Sequence, residues 1–326
     1  MRCSIRGFGT KSMDVPSATV QTPSTVPTGT FALAARQFCR NRAATAGLIC
    51  LATLCIAVAL APMIAPYDPI RISLAAKLQP PNAAHWLGTD YFGRDVFSRM
   101  LFGGRISLTV GLSVVVFAFT LGVPIGLLSG FIGGRLDNLI MRLMDAFLTF
   151  PPLLLAVAIV GLLGPDVQNV VLALGIVQAP VLARMVRGST LSVREEVYIR
   201  ASRALGAGPL RIMFSDILRN IMSPIVVQLT IVFSAAVIAE ASLSFLGLGA
   251  PPPQPSWGRD LSDARNYLGD APWMFLTPSG AIMLCVLSIN FVGDGLRDAL
   301  DPRSWRVRAQ PVPQAALIAV LREDAA

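Results

Sequence analysis

The stretch AATAGLICLATLCIAVALAPMIA, residues 43–65, contains no charged side chain and is long enough to cross a lipid bilayer as a helix. A hydrocarbon core about 30 Å thick needs roughly 20 apolar residues in a helix. Five further apolar runs follow, and together they predict six spans: 43–65, 106–130, 140–164, 168–187, 222–249 and 276–296. Because the alternation of a membrane β-barrel is absent, we predict an all-α integral membrane protein.

The overall composition agrees with this prediction and excludes several classes of function. Of the 326 residues, 54% are hydrophobic and only 14% are charged, whereas about one quarter of a soluble domain is charged. The single histidine and five cysteines have no metal-ligand spacing. The only lysines, Lys11 and Lys77, do not follow a glycine, so the chain has no P-loop for ATP. We therefore expect no metal, no cofactor and no catalytic activity in the chain itself.

The basic residues predict the orientation in the membrane. With the N-terminus inside, the segments 1–42, 131–142, 184–221 and 297–326 are cytoplasmic and hold 20 Lys and Arg residues, against 7 on the opposite side. This excess places both termini in the cytoplasm. It also accounts for the net charge of +8 without nucleic acid as a partner.

The chain divides into three predicted parts. Residues 1–42 form a disordered cytoplasmic N-terminal tail, because the first thirty residues are rich in Ser, Thr and Pro. Residues 43–303 form the transmembrane domain, and residues 304–326 form a cytoplasmic C-terminal tail. Pro151 and Pro152 interrupt the third apolar run and predict a kink or an unwound turn there.

The cytoplasmic loop 188–221 contains the basic segment SVREEVYIRASRALGAGPLRIMFSDILRN, residues 192–220. Ser192 and Glu195 match a capping box and predict the start of a helix. One face of that helix would carry Val197, Tyr198, Ala201, Ala204 and Leu205. Glycines at 206 and 208 end it, and Pro209 begins a second helix. The predicted apolar stripe of the second helix is Leu210, Met213, Phe214, Ile217, Leu218 and Ile221.

Two interpretations of this loop remain open from its pattern. A basic amphipathic segment can lie on lipid headgroups. A slim helix rich in Ala and Gly that exposes apolar side chains also fits a groove on a partner protein. The many small residues between 201 and 208 favour the partner protein, because they offer little anchorage in lipid.

This segment resembles the signature loop of the permease subunits of ABC importers, whose pattern is E-A-A, three residues, G, nine residues, I-x-L-P. Ala201, Gly206 and Leu218 match that pattern at the right spacing. Four positions depart from it: Arg200, Ser202, Asp216 and Arg219. In the family this loop docks into the ATPase subunit. The resemblance therefore implies a coupling role for Arg200, Ala201, Ser202, Ala204, Leu205, Gly206 and Ala207.

Longer stretches resemble one subfamily, the C-type permeases of dipeptide, oligopeptide and nickel importers. They are HWLGTDYFGRDVFSRMLFGGRISL (85–108), MRLMDAFLTFPPLLLA (141–156), AEASLSFLGLGAPPPQPSWGRDL (239–261) and GDGLRDALDPR (293–303). The resemblance implies a type I importer permease in a bacterial inner membrane, paired with a second permease subunit. It further implies one or two cytoplasmic ATPase subunits that bind Mg-ATP, and an extracytoplasmic substrate-binding protein. Di- and oligopeptides or nickel chelates are the implied substrates.

Charged residues inside the apolar runs are candidates for the transport path. Glu240 lies in the fifth run, where a carboxylate is unfavourable unless it faces the bundle interior or a partner. A place on the pathway and a structural hydrogen bond to a neighbouring helix are both open. For Asp145 and Asp294 we predict structural ion pairs with Arg142 and Arg297, each three residues away.

The segment before the second run mixes glycines with charges on the predicted outer side, at Gly88, Asp90, Gly93, Arg94 and Asp95. It is either a surface on which the binding protein docks or a turn-rich loop held by Asp–Arg contacts, and we favour the loop. His85 is interpreted as part of that loop rather than a ligand.

Two other classes of function remain as alternatives. A stand-alone secondary transporter or channel would carry polar residues deep in several helices, whereas the first two runs contain no charge in their cores. A membrane scaffold without transport activity would leave the shape of the cytoplasmic loop unexplained.

Overall fold

The computed structural model describes residues 30–300, with side chains from residue 35 onward. In this part of the chain there are helices, two short 3-10 turns and no strand. The helices are α1 (Thr30–Arg40), α2 (Arg42–Ala59), α3 (Ala61–Ile64), α4 (Val96–Ile132), α5 (Gly134–Thr149), α6 (Pro152–Leu163), α7 (Val167–Arg194), α8 (Val197–Ala204), α9 (Pro209–Phe245), α10 (Trp257–Ala264) and α11 (Trp273–Leu300).

Helix α1 differs from the sequence prediction, which assigned residues 30–42 to a disordered tail. Tertiary packing accounts for this helix, because α1 packs along the end of α11. There the Gln37 side chain donates a hydrogen bond of 3.3 Å to the carbonyl oxygen of Asp298. The remainder of the predicted N-terminal tail, residues 1–29, and the predicted C-terminal tail, 304–326, lie outside the described residues.

Five helices are long and apolar enough to cross a bilayer: α2, α4, α7, α9 and α11. A sixth crossing is made only if α5 and α6 are counted as one, and these two helices meet at 87°. The break lies at the predicted Pro151–Pro152 pair, where Phe150 and Pro151 are extended. Proline favours this geometry because it restricts the preceding residue to extended conformations and cannot donate a helical hydrogen bond.

The centre of the bundle is the close contact between α4 and α7. Gly122, Gly126 and Gly130 of α4 lie four residues apart and face α7. A Cβ atom added at Gly126 would come within 2.8 Å of the Cβ atom of Val186. Small residues at this spacing allow two membrane helices to approach closely and gain van der Waals contact.

The remaining helices surround this pair. Helix α9 packs against α4, α7 and α11, and α2 packs against α11. Helix α5 contacts both α4 and α7, and α6 contacts α7. Segment 66–95 and helix α10 form a polar cap over one end of the bundle.

Candidate functional site

The segment between α7 and α9 forms a projecting elbow, residues 195–214. Helix α8 ends in a turn in which the amide of Leu205 donates to the carbonyl of Ala201 at 3.0 Å and the amide of Ala207 donates to that of Ser202 at 3.1 Å. Gly206 has a φ angle of +82°. Such a left-handed conformation is readily adopted by glycine, which explains why a glycine is required at the bend.

The elbow exposes apolar side chains that nothing in the described chain covers. The exposed fractions are 73% for Val197, 44% for Tyr198, 89% for Leu205, 69% for Leu210 and 54% for Phe214. Arg200, Ala201, Ala204 and Gly206 are exposed as well, whereas Ser202 and Ala207 are half-buried. The predicted exposed apolar face of α8 is therefore confirmed.

A few inward contacts anchor the elbow on the bundle. Ile199 is fully buried, and the guanidinium of Arg203 lies 5.6 Å from the ring centroid of Phe131 in α4. Partial burial raises the pKa of the Tyr198 phenol, and the negative charge of Glu196 adds to the effect. The anchor is narrow, so most of the elbow surface is available for a partner.

Two departures from the signature pattern contact each other. The hydroxyl of Ser202 in α8 donates a hydrogen bond of 3.0 Å to a carboxylate oxygen of Asp216 in α9. Both departures are visible in the sequence, but their proximity is not, since 14 residues and the Gly206 bend separate them. This bond joins α8 to α9 across the bend.

Two predictions about this segment are wrong in detail. Ser192 does not begin a helix, because α7 continues to Arg194 and the Ser192 hydroxyl donates to the carbonyl of Gly188 at 3.2 Å. The predicted stripe of the second helix is also split. Residues 212–217 form π-helical turns, whose extra residue per turn changes the register. As a result Met213, Ile217 and Ile221 are buried while Leu210 and Phe214 face outward.

The base of the elbow is tied to α4 and α5 by charged groups. Arg187 of α7 donates two hydrogen bonds of 2.6 Å to the carboxylate of Asp137, which also accepts one from the Ser129 hydroxyl. Arg194 donates to the carbonyl of Gly130 at 2.8 Å. These hydrogen bonds link the end of α7, from which the elbow projects, to α4 and α5.

At the other end of the bundle, the predicted outer segment forms a compact turn. Gly88 and Gly93 have φ angles of +71° and +74°. Asp90 accepts hydrogen bonds from the backbone and the side chain of Arg94. Asp95 caps α4 by accepting from the Ser98 amide at 2.8 Å. The three charged side chains are 3–7% exposed, which matches the turn-rich loop that we favoured.

His85 belongs to this loop as expected. Its Nδ1 atom lies 2.9 Å from a carboxylate oxygen of Asp95, and its ring packs 4.7 Å from that of Tyr67. No group of metal-ligating side chains occurs anywhere in residues 30–300.

A network that the sequence analysis missed joins this loop to α10. Arg99 of α4 forms an ion pair with Asp260 of α10, lies 3.8 Å from the Asp90 carboxylate, and donates to the carbonyl of Pro69 at 3.2 Å. Burial raises the pKa of the Asp260 carboxyl, against the opposing effect of the Arg99 charge. Arg99 and Asp260 are 161 residues apart, and no local pattern could have paired them.

Glu240 lies between helices rather than at an opening within the described chain. It is 2% exposed and accepts hydrogen bonds from Ser107 of α4 at 2.8 Å and from Ser244 at 2.7 Å. The sequence left open a place on the pathway and a structural hydrogen bond to a neighbouring helix, and this geometry is that of the structural hydrogen bond. Its place on a pathway stays a prediction.

The predicted pairs of the other two acids are wrong. Asp145 forms its ion pair with Arg184 of α7 instead of Arg142, because α5 packs beside α7 and brings the exposed Asp145 carboxylate within reach of the Arg184 side chain. Between Asp294 and Arg297 no ion pair occurs in the structure of residues 30–300. Sequence spacing gives only a possible contact, and for Asp145 a group on another helix replaces it.

Two family models match the chain. Residues 122–306 match the binding-protein-dependent transport system inner membrane component. Residues 29–81 match the N-terminal TM domain of oligopeptide transport permease C.

Several described proteins are similar in sequence to most of the chain. It is 45% identical over 268 residues to the dipeptide transport system permease protein DppC of Alkalihalophilus pseudofirmus, across 82% of this chain and 88% of that protein. It is 46% identical over 274 residues to the di/tripeptide transport system permease protein DppC of Pseudomonas aeruginosa, across 82% and 90%. A putative peptide transport system permease protein of Brucella abortus is 45% identical across 83% and 91%.

Solved structures have a related fold. A chain of the MetNI methionine ABC transporter in an inward-facing conformation aligns with a TM-score of 0.55 at 23% identity, across 63% of this chain and 98% of that one. At this identity the likeness concerns the fold alone. The long matching model, the relatives and the apolar helices agree that this chain belongs to the family of binding-protein-dependent transport system inner membrane components, the multi-pass inner-membrane permeases of ABC importers.

Proposed function

We propose that this permease is one of two different membrane subunits of an importer for di- and oligopeptides, with nickel chelates as the second candidate substrate. The names of its relatives, a dipeptide and a di/tripeptide permease among them, support peptides. In this proposal the chain binds no ATP, and Mg-ATP is hydrolysed by one or two separate cytoplasmic subunits. An extracytoplasmic binding protein delivers the substrate.

The proposed topology has six crossings, with α5 and α6 together forming one. Both termini and the elbow are cytoplasmic, and the cap of segment 66–95 and α10 is outside. The excess of 20 basic residues over 7 on the proposed cytoplasmic side supports this orientation.

The observation that carries the proposal is the exposed apolar surface of the elbow. Leu205 is 89% exposed although Ile199, six residues earlier, is fully buried. Large apolar side chains that project together into water mark a surface for a protein partner or a membrane. The elbow is slim, and hydrogen bonds of Arg187 and Arg194 at its base join it to α4 and α5, which suits a groove on an ATPase subunit. Closure of that subunit would move the elbow and thereby tilt the helices between inward and outward access.

The proposed residues of the coupling site are Arg200, Ala201, Ser202, Ala204, Leu205, Gly206 and Ala207. A bulky residue at Gly206 tests this role, because no described atom outside its two chain neighbours lies within 4 Å of a Cβ atom there. We expect Gly206→Trp to reduce uptake at least tenfold while ATP is still hydrolysed. Gly206→Ala introduces the strain at φ +82° without the bulk, and Gly161→Trp is a control in α6 with equal free space. Full uptake by Gly206→Trp would refute the coupling role.

Crosslinking distinguishes the two partners that the loop pattern left open. A cysteine at the exposed position Ala204 should crosslink to a cysteine-bearing ATPase subunit in the assembled importer. Reaction of that cysteine with lipid-borne probes alone would instead place the elbow on headgroups. Uptake by the purified chain in vesicles with an ion gradient and no ATP would favour the stand-alone transporter.

A further inference from the structure

Helix α5 has three distinct faces, of which only one is packed. The packed face centres on Asp137 and Met144, which are buried. A second face is apolar and exposed, with Leu136, Leu139 and Leu143 between 44% and 68% exposed. The third face is exposed and polar. It consists of Arg135, Asn138, Arg142, Asp145 and Thr149.

The polar face is a narrow and continuous stripe. At 100° per residue its five members occupy an arc of about 80°, centred about 130° from the packed face. They recur every three or four residues along the whole helix, up to the break at Pro151. A charged stripe of this length is expected on a helix that meets water, and it is unfavourable against lipid.

A second helix contributes to the same surface. Arg184 of α7 forms its ion pair with Asp145, and their side chains are 54% and 57% exposed. At 1.5 Å per residue, Arg184 lies about 25 Å from the start of α7 and about 15 Å from its end. The predicted spans 140–164 and 168–187 place Asp145 and Arg184 near their cytoplasmic ends, where the pair is still open to the surroundings.

The stripe has an excess of positive charge. With Arg184 it holds three guanidinium groups and one carboxylate. Arg142, whose predicted partner Asp145 is taken by Arg184, has no hydrogen bond or ion pair to any group in residues 35–300. A free guanidinium beside an exposed carboxylate matches a ligand with a carboxylate and an ammonium group.

We propose that the polar face of α5, together with Arg184, lines the aqueous path and contacts the peptide in transit. Arg142 binds the C-terminal carboxylate of the peptide, and Asp145 attracts its ammonium group. This inference rests on the proposed peptide import. The second permease subunit is a less suitable occupant of this face, since the cores of protein interfaces are poor in charge and close helix pairs in membranes favour small residues. The exposed apolar face of α5 is better suited to lipid or to that subunit.

Accessibility of single cysteines tests the aqueous surface. In an assembled importer whose native cysteines have been replaced, Asn138→Cys and Thr149→Cys on the polar face are compared with Leu139→Cys and Leu143→Cys on the apolar face. We expect a membrane-impermeant charged thiol reagent to modify the polar-face pair at least tenfold faster. Equal rates on both faces would overturn the proposal. Crosslinks from the polar face to the second permease, with no modification, would assign this face to the subunit interface instead.

Protection by ligand tests the contact with peptide without the binding protein. We expect millimolar dialanine to slow modification of Thr149→Cys severalfold, and dialanine amide, which lacks the carboxylate, to have little effect. Adding Arg142→Gln should abolish the protection, and Arg142→Lys should retain part of it. Equal protection by the amide, or full protection in the Gln variant, would refute the role of Arg142. If the polar face is accessible but the importer takes up no peptide, the water-lined surface stands and the proposed substrate fails.

Discussion

Leu205 offers the sharpest test of the elbow as the docking site of an ATPase subunit. Its side chain is 89% exposed, so shortening it removes almost no contact within this chain. Burial contributes about 0.8 kcal/mol per methylene group, and Leu205→Ala removes three carbons. Full burial against the ATPase would therefore make the substitution cost about 2.4 kcal/mol, on the order of a 50-fold rise in Kd.

The measurement is a titration of the purified ATPase subunit onto the permease complex in lipid nanodiscs. Leu162→Ala in α6 is the matched control, because Leu162 is 88% exposed but lies at the opposite end of the bundle. We expect its Kd to equal that of the unsubstituted chain and the melting temperature of both variants to be unchanged. Ile199→Ala, by contrast, empties a buried site and should lower stability by about 2–5 kcal/mol.

The result that would refute the reasoning is a Kd for Leu205→Ala within threefold of the unsubstituted protein. That outcome would mean that Leu205 meets water or lipid in the assembled importer. A similar loss for Leu162→Ala would show that the effect is general and unrelated to docking.

Three further predictions concern contacts inside the bundle. Gly126→Leu should prevent close packing of α4 on α7 and destabilise the protein by about 1–3 kcal/mol or more. The control is Gly280→Ala, where an added Cβ atom meets no atom within 4 Å, and it should leave the melting temperature unchanged. Equal effects of the two substitutions would contradict the packing argument. Glu240→Ala should destabilise by about 1–3 kcal/mol because two buried hydroxyls lose their acceptor, and Glu240→Gln should restore most of the loss in a thermal melt. Asp137→Asn should lower stability by about 1.5–3 kcal/mol. Adding Arg187→Gln to it should lower stability little further, since the two residues form one contact. Additive losses in a double-mutant cycle would disprove their coupling.

The resemblance to importer permeases already pointed to the coupling loop, and the exposed face of α8 followed from its helical spacing. The contact between Ser202 and Asp216 did not, because it depends on the bend at Gly206 bringing two helices together. The same holds for the outer loop. Its glycines and charges were recognisable, but its ties to Asp260 through Arg99 cross 161 residues of chain.

What the sequence by itself determined is the membrane location, five of the six predicted spans and the break at Pro151–Pro152. Lipid leaves the backbone no hydrogen-bond partner except its own helix, so hydropathy and proline positions are sufficient for that much. Tertiary structure alone decided which charges meet. Asp145 pairs with Arg184 rather than Arg142, and this leaves Arg142 free on an open face of α5. The physical reason is that side-chain pairing depends on distance in space, which the packing of α5 against α7 sets and sequence spacing does not.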